Sequence, residues 1–173
     1  VHKGKTIFVG DTSVHEYPNA EQLSEIAISS ARVVRLFGFD PKVAFVSHST
    51  FGQPLTSRTK HIKEAVEILK KKNVNFEFDG DMQPDVALND EYKSLYPFSK
   101  IVGNANILIM PGQHSAAISY KMMKTLGDTK VIGPLLIGLG LPIEIAPLRS
   151  STSEIINLAS IAAYSADIID YKN

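Results

Sequence analysis

Polar and apolar positions follow two rhythms along this chain, and together they predict alternating strands and helices. Short apolar runs at residues 6–9, 42–47 (KVAFVS) and 107–110 (ILIM) read as strands. The last two are apolar almost throughout, as expected of strands covered on both faces. Residues 74–78 alternate cleanly and predict another strand, with Asp79-Gly80-Asp81 as the turn after it. Residues 131–139 (VIGPLLIGL) predict a closing strand, placed at an edge or bulge because Pro134 cannot donate to a ladder.

Between these runs the period changes to that of a helix. Asn19 is an N-cap with Gln22 three residues on, and Leu23, Ile26, Ala27, Ser30, Val34 and Phe37 share one face before Gly38. A second helix carries Ile62, Ala65, Val66 and Leu69 in register and ends in Lys70-Lys71-Lys72. That triplet reads either as an anion site or as three solvated cations at the negative end of the helix dipole. Residues 82–96 form an irregular, partly helical connection, and residues 115–126 a short helix with Ile118, Met122 and Leu126 inward. The last helix opens on Ser151 and Glu154, the S-x-x-E spacing of a capping box. Behind it, Ile155, Leu158, Ala159 and Ala162 make an apolar face.

Strands alternating with helices imply right-handed crossovers and a layered α/β/α fold with a mainly parallel sheet. One such domain accounts for residues 1–149, and residues 150–173 add the last helix. Eighteen basic residues balance eighteen acidic ones, so there is no broad basic field to hold nucleic acid or an anionic membrane. The absence of cysteine excludes disulfides, thiolate catalysis and a cysteine zinc site. No apolar run approaches the roughly 20 residues that span a bilayer, and no signal peptide is visible, so the expected location is cytoplasmic. The start at Val1, without methionine, suggests a processed or excised piece.

In open α/β sheets, ligands sit at the carboxyl ends of strands. The candidates there are His48-Ser49-Thr50, Asp79-Gly80-Asp81, Gln113-His114-Ser115 and the loop around Arg149. Ser49 with His48 or His114 suggests a nucleophile and base, but the chain has no G-x-S-x-G elbow. His48 and His114 with Asp79 or Asp81 suggest a metal, yet their spacing matches no known site, so none is expected. Asp79 and Asp81 read either as an acid–base pair or as a turn in which Gly80 supplies an unusual φ. Gly133, Gly138 and Gly140 form neither G-x-G-x-x-G nor a P-loop.

Several motifs, in one order along nearly the whole chain, resemble the phosphate acetyl/butyryl transferase family. They are the run from Pro18 to Ala27, VAFVSHSTFG at 43–52, Asp79-Gly80-Asp81-Met82-Gln83 with Asp85, ILIM followed by Pro111, Tyr120-Lys121, and Ile132-Gly133-Pro134 with Gly138-Leu139. His15-Glu16-Tyr17-Pro18, Ser49-Thr50-Phe51-Gly52 and Ala162-Ala163-Tyr164 resemble one branch in particular, the phosphotransacetylase-like C-terminal module of bacterial NADP-dependent malic enzymes.

The resemblance implies a two-lobed module, related in architecture to isocitrate and isopropylmalate dehydrogenases, with the acyl-transfer cleft between its lobes. This chain would be the second lobe (1–149) plus a helix (150–173) that packs on the first lobe; the malic domains, with their NADP and divalent metal, and that first lobe would be missing partners. Active members carry a serine that stabilises the transition state, an arginine that holds phosphate and an aspartate that activates the CoA thiol. The matching positions here are Pro147, Leu148 and Glu154, and a Gly-Asn of the family has become Ala116-Ala117. The resemblance therefore implies no catalytic residues, no cofactor in this portion and a regulatory, homo-oligomerising module that responds to acetyl-CoA. Its expected ligand residues are Ser49, Thr50, Gly52, Gln113, His114, Ser115 and Arg149. The alternatives are an active phosphate acetyltransferase, with Glu154 and Arg149 replacing the lost groups, and a purely structural oligomerisation platform.

Overall fold

The computed structural model describes residues 1, 4–11 and 13–170. It divides into two compact units, Val1–Thr129 and Lys130–Asn173. The border thus falls at Thr129/Lys130, whereas the sequence placed its division at Arg149/Ser150.

The first unit is built on four parallel strands: β1 (Phe8–Gly10), β2 (Lys42–Val46), β3 (Glu77–Met82) and β4 (Ile107–Ile109), in the order β1-β4-β2-β3. Alternate residues of the central strands supply two separate cores. Val43, Phe45, Ile107 and Ile109 pack on one face with Leu23, Ala27 and Val34 of α1 (Ala20–Leu36) and with Ile62, Ala65 and Leu69 of α2 (Ser57–Lys72). Ala44, Val46, Leu108 and Met110 face the other way, against Met82, Ala105, Val86 and Ala87 of α3 (Pro84–Leu88), and Ala116 of α5 (Gln113–Leu126). Between them lies the single turn α4 (Asp90–Lys93). Both faces being covered is why these strands read as unbroken apolar runs.

The first helix begins as the sequence predicts: Asn19 Oδ1 accepts from Gln22 N–H, and Gln22 Oε1 accepts from Asn19 N–H, both at 2.9 Å. Helix α2 has a box of its own that the sequence reading missed, with Thr56 and Thr59 capping each other. Lys72 at its far end reaches Glu21 at 3.0 Å and also binds Glu25, fastening α2 to α1, while Lys70 pairs with Glu67. Two of the three lysines are thus committed to carboxylates, which favours the solvated-cation reading over an anion site.

Three predicted features need correction. Asp79-Gly80-Asp81 is not a turn; it lies inside β3, where the register to β2 shifts between Phe45 and Val46. Gly80 adopts φ 153° there, and a Cβ would stand 2.8 Å from the Phe45 carbonyl oxygen, so the bulge demands glycine. Residues 131–139 form no strand, because Pro134 removes a donor and Gly133 and Gly138 take positive φ values of 114° and 87°. Helix α5 has its expected period, but Ile118, Met122 and Leu126 are 57%, 54% and 80% exposed, and only Ala116 is buried.

The second unit ends in α6 (Thr152–Asp170). Ser151 N–H donates to Glu154 Oε2 at 2.8 Å, and Glu154 N–H to Ser151 Oγ at 3.3 Å, the predicted capping box. Of the predicted apolar face only Leu158 is fully buried; Ile155 is 49% exposed.

Candidate functional site

Every strand of the first unit delivers its carboxyl end to one edge of the sheet, so the loops after β1, β2, β3 and β4 gather there. The β2 loop begins with Ser47 and His48 and then turns inward. Ser49 is completely buried, and its hydroxyl donates to Oδ2 of the equally buried Asp81 on β3. Ser47 Oγ lies 3.3 Å from Ser49 Oγ, and Phe51 N–H donates to the Asp81 backbone carbonyl at 2.6 Å. The other Asp81 oxygen, Oδ1, is buried without a hydrogen-bond partner. Ser49, expected to touch a ligand, instead anchors its loop to the neighbouring strand.

This arrangement also separates the residues of the hydrolase and acid–base readings. The Ser49 hydroxyl is bound to Asp81, while His48 Nδ1 lies 3.4 Å from Ser47 Oγ. Asp79 is engaged elsewhere: Oδ2 accepts from Lys100 N–H at 2.7 Å and Oδ1 from Gly80 N–H at 3.0 Å. Among the described residues, no three His, Asp or Glu side chains gather to hold a metal ion.

Thr50 is the next residue out and lines a cleft of about 280 Å³. Its Oγ1 accepts from Gln83 N–H at 3.2 Å, and Gln83 Nε2 donates to the His48 carbonyl at 3.0 Å, tying the β2 and β3 loops together. Gln53, Gln83, Asp85, Tyr92 and Tyr96 complete the polar lining, with Val86 and Leu95 between them. Gly52 turns the loop at φ 81° beside Lys63. Sequence reasoning singled out Thr50 but not the cleft it lines, because Tyr92 and Tyr96 come from the irregular stretch after β3.

The β4 loop leads into α5, whose first residues meet the loop after β1. Gln113 N–H donates to the Glu16 carbonyl at 3.2 Å, and Ser115 Oγ to the Gly112 carbonyl at 2.8 Å. A Cβ on Gly112 would stand 2.7 Å from the Glu16 carbonyl oxygen, so glycine permits this approach. His114 is exposed; it stacks on Tyr17 with centroids 6.2 Å apart, and its Nε2 lies 3.7 Å from Glu16 Oε1. Asp11 organises the β1 loop by accepting from Ser13, Val14 and His15 N–H and from the His15 ring at 2.6 Å. Burial pushes the Asp11 carboxyl up, but these donors outweigh it and hold it below the usual carboxylate range.

In the second unit, Pro147 and Glu154 line one hollow of about 10 Å³, with Val131, Ile132, Gly133, Ser150, Asn157 and Leu158. That space is on the order of one water molecule. Leu148 points fully into solvent, and Arg149 is exposed beside it. Glu144 accepts from Leu136 N–H at 3.1 Å, and its partial burial raises its pKa above the ordinary carboxyl value. Among the described residues, no helix is long and apolar enough to cross a membrane.

Comparison with known proteins agrees with the motifs. The chain is 46% identical over 164 residues to an NADP-dependent malic enzyme of Rhizobium meliloti, an alignment covering 95% of this chain and 22% of the relative. It is 34% identical to a phosphate acetyltransferase of Clostridium acetobutylicum, covering 92% of this chain and 49% of that one. Among solved structures, a phosphotransacetylase from Streptococcus pyogenes superposes with a TM-score of 0.90 at 33% identity, over 95% of this chain and 50% of the other. The chain thus spans about half the length of these transferases and 22% of the malic enzyme. The family profile described as phosphate acetyl/butaryl transferase matches residues 1–163, and the chain belongs to that family.

Proposed function

We propose that this chain is the C-terminal portion of an NADP-dependent malic enzyme, and that its phosphotransacetylase-like module regulates malate oxidation without transferring acetyl groups. The observation that carries the silent-module reading is the hollow lined by Pro147 and Glu154, with Leu148 turned to solvent. Acyl transfer develops negative charge on oxygen, and a pre-placed donor and cation stabilise it. Proline offers no hydroxyl and leucine no charge, so the two groups matched by Pro147 and Leu148 are absent. Glu154 is held by the Ser151 cap, which accounts for it without chemistry.

Acetyl-CoA is the proposed effector, contacting Thr50, Gly52, Gln113, His114 and Ser115 at the carboxyl edge of the first unit's sheet. Such regulation requires that acetyl-CoA bind two states of the oligomer with different affinity. The exposed Ile155 and Ile156 of α6 support packing of that helix on a first lobe supplied by the rest of the parent chain. The malic domains there would carry the NADP and divalent-metal chemistry, in a cytoplasmic homo-oligomer.

A second reading has support from Glu154, which lies on the same hollow as Pro147 and sits one methylene longer than the family's aspartate. In an active phosphate acetyltransferase, Glu154→Ala would abolish acetyl transfer; as a cap alone it costs about 1 kcal/mol of stability. The deciding assay is phosphate-dependent thiol release from acetyl-CoA by the intact parent chain, with malate oxidation in the same sample as the folding control. No thiol release, with malate turnover that changes as acetyl-CoA is titrated, is the expected result. Thiol release would favour the transferase, and turnover indifferent to acetyl-CoA would leave only an oligomerisation platform.

A further inference from the structure

We infer that the cleft beside the β2 and β3 loops, lined by Thr50, Gln53, Gln83, Asp85, Tyr92 and Tyr96, is a site for a small organic ammonium group. This goes beyond the regulatory reading and does not rest on it. Its volume of about 280 Å³ is at the lower limit of ligand pockets, which suits a fragment-sized molecule and not a whole coenzyme. No lysine or arginine lines it among the described residues, so the phosphates of a nucleotide or coenzyme would meet no cation there and one carboxylate.

The polar groups present favour positive charge. Asp85 uses Oδ1 to accept from Val86 N–H at 3.0 Å, leaving Oδ2 for a ligand. Gln83 spends its amide N–H on the His48 carbonyl, so its own oxygen stays available as an acceptor. Tyr92 and Tyr96 also line the cleft, Tyr96 with its ring packed against Phe51 and Phe98, and aromatic rings attract ammonium groups through their negative quadrupoles. Asp90 and Glu91 stand on the adjacent turn, while the only lysine of that turn, Lys93, is buried with its ammonium bound to the Gly103 carbonyl. Asp85, Asp90 and Glu91 thus place three carboxylates on or next to the cleft, while Lys63 stands beside Gly52 on the other loop. Thr50, only 6% exposed, accepts from Gln83 N–H, which leaves its hydroxyl proton for an oxygen of the ligand.

The probe is tetramethylammonium chloride, with tert-butanol as the neutral analogue of similar shape, at constant ionic strength. The readout is the ring-proton resonances of Tyr92 and Tyr96 in the full chain. The expected result is saturable shifts at millimolar tetramethylammonium, weakened at least tenfold by Asp85→Asn and by Tyr92→Leu, with tert-butanol at least tenfold weaker. Tyr92→Leu keeps bulk at the rim and leaves α3 intact, so it decides the matter if Asp85→Asn melts early. Equal binding of the two probes, or binding unchanged in both variants, would overturn the assignment. So would acetyl-CoA shifting the same two tyrosines at lower concentration than the ammonium probe.

Discussion

Replacing Ser49 by alanine separates an anchoring role from a ligand-contacting one. The Ser49 hydroxyl is a donor to Asp81 Oδ2, and Asp81 Oδ1 already lacks a partner. Both residues are completely buried, so water cannot replace the lost donor without a rearrangement. A hydrogen bond to a carboxylate contributes about 1.5–3 kcal/mol, and stranding a buried acceptor costs a further share of its desolvation. The expected loss for Ser49→Ala is about 3 kcal/mol. In a protein of 173 residues this lowers the melting temperature by roughly 6–12 °C. The assay is urea unfolding followed by far-UV circular dichroism, run as a double-mutant cycle with Asp81→Asn. In that cycle the double variant should lose less than the two single losses added, by about 1 kcal/mol or more. A loss below about 0.5 kcal/mol for Ser49→Ala, with weakened acetyl-CoA binding instead, would refute the anchoring argument.

Three further outcomes follow from local geometry. Gly80→Ala meets the Phe45 carbonyl at 2.8 Å and a φ of 153°, so it should cost about 3 kcal/mol or more in the same unfolding assay; a neutral result would contradict the bulge. Asn19→Ala removes the α1 cap and should cost about 1 kcal/mol, recovered in large part by Asn19→Ser. The Glu144 carboxyl is raised by burial above its ordinary value of 4.5, so the folded protein keeps a proton that the unfolded chain has released. Its contribution is complete below the unfolded value and is lost as pH rises through the folded one. Glu144→Gln should therefore raise the melting temperature at pH 7 and have little effect near pH 4; an equal shift at both pH values would exclude the linkage.

Much of this molecule is legible in its sequence, because local chemistry and periodicity need no distant partner. Asn19 with Gln22, and Ser151 with Glu154, cap their helices through bonds three residues apart, and the apolar runs of β2 and β4 announce burial on both faces. Motif order along the chain was enough to identify the family. That Pro147 carries no hydroxyl and Leu148 no charge is likewise a matter of residue type alone.

Tertiary structure decided what depends on residues far apart in the chain. Asp79-Gly80-Asp81 has the composition of a turn, yet pairing with β2 pulls it into a strand, since ladder bonds outweigh local turn preference. The apolar stripe of Ile118, Met122 and Leu126 is helical in period, but periodicity does not say whether anything covers it. Ser49 and Asp81 lie 32 residues apart, and only the parallel register of β2 and β3 joins them. The cleft arises the same way, bringing Thr50 from one loop against Tyr92 and Tyr96 from another. Spacing along a chain reports bonds within a turn or two; side chains that meet across a sheet edge are set by strand order, and strand order is a property of the folded whole.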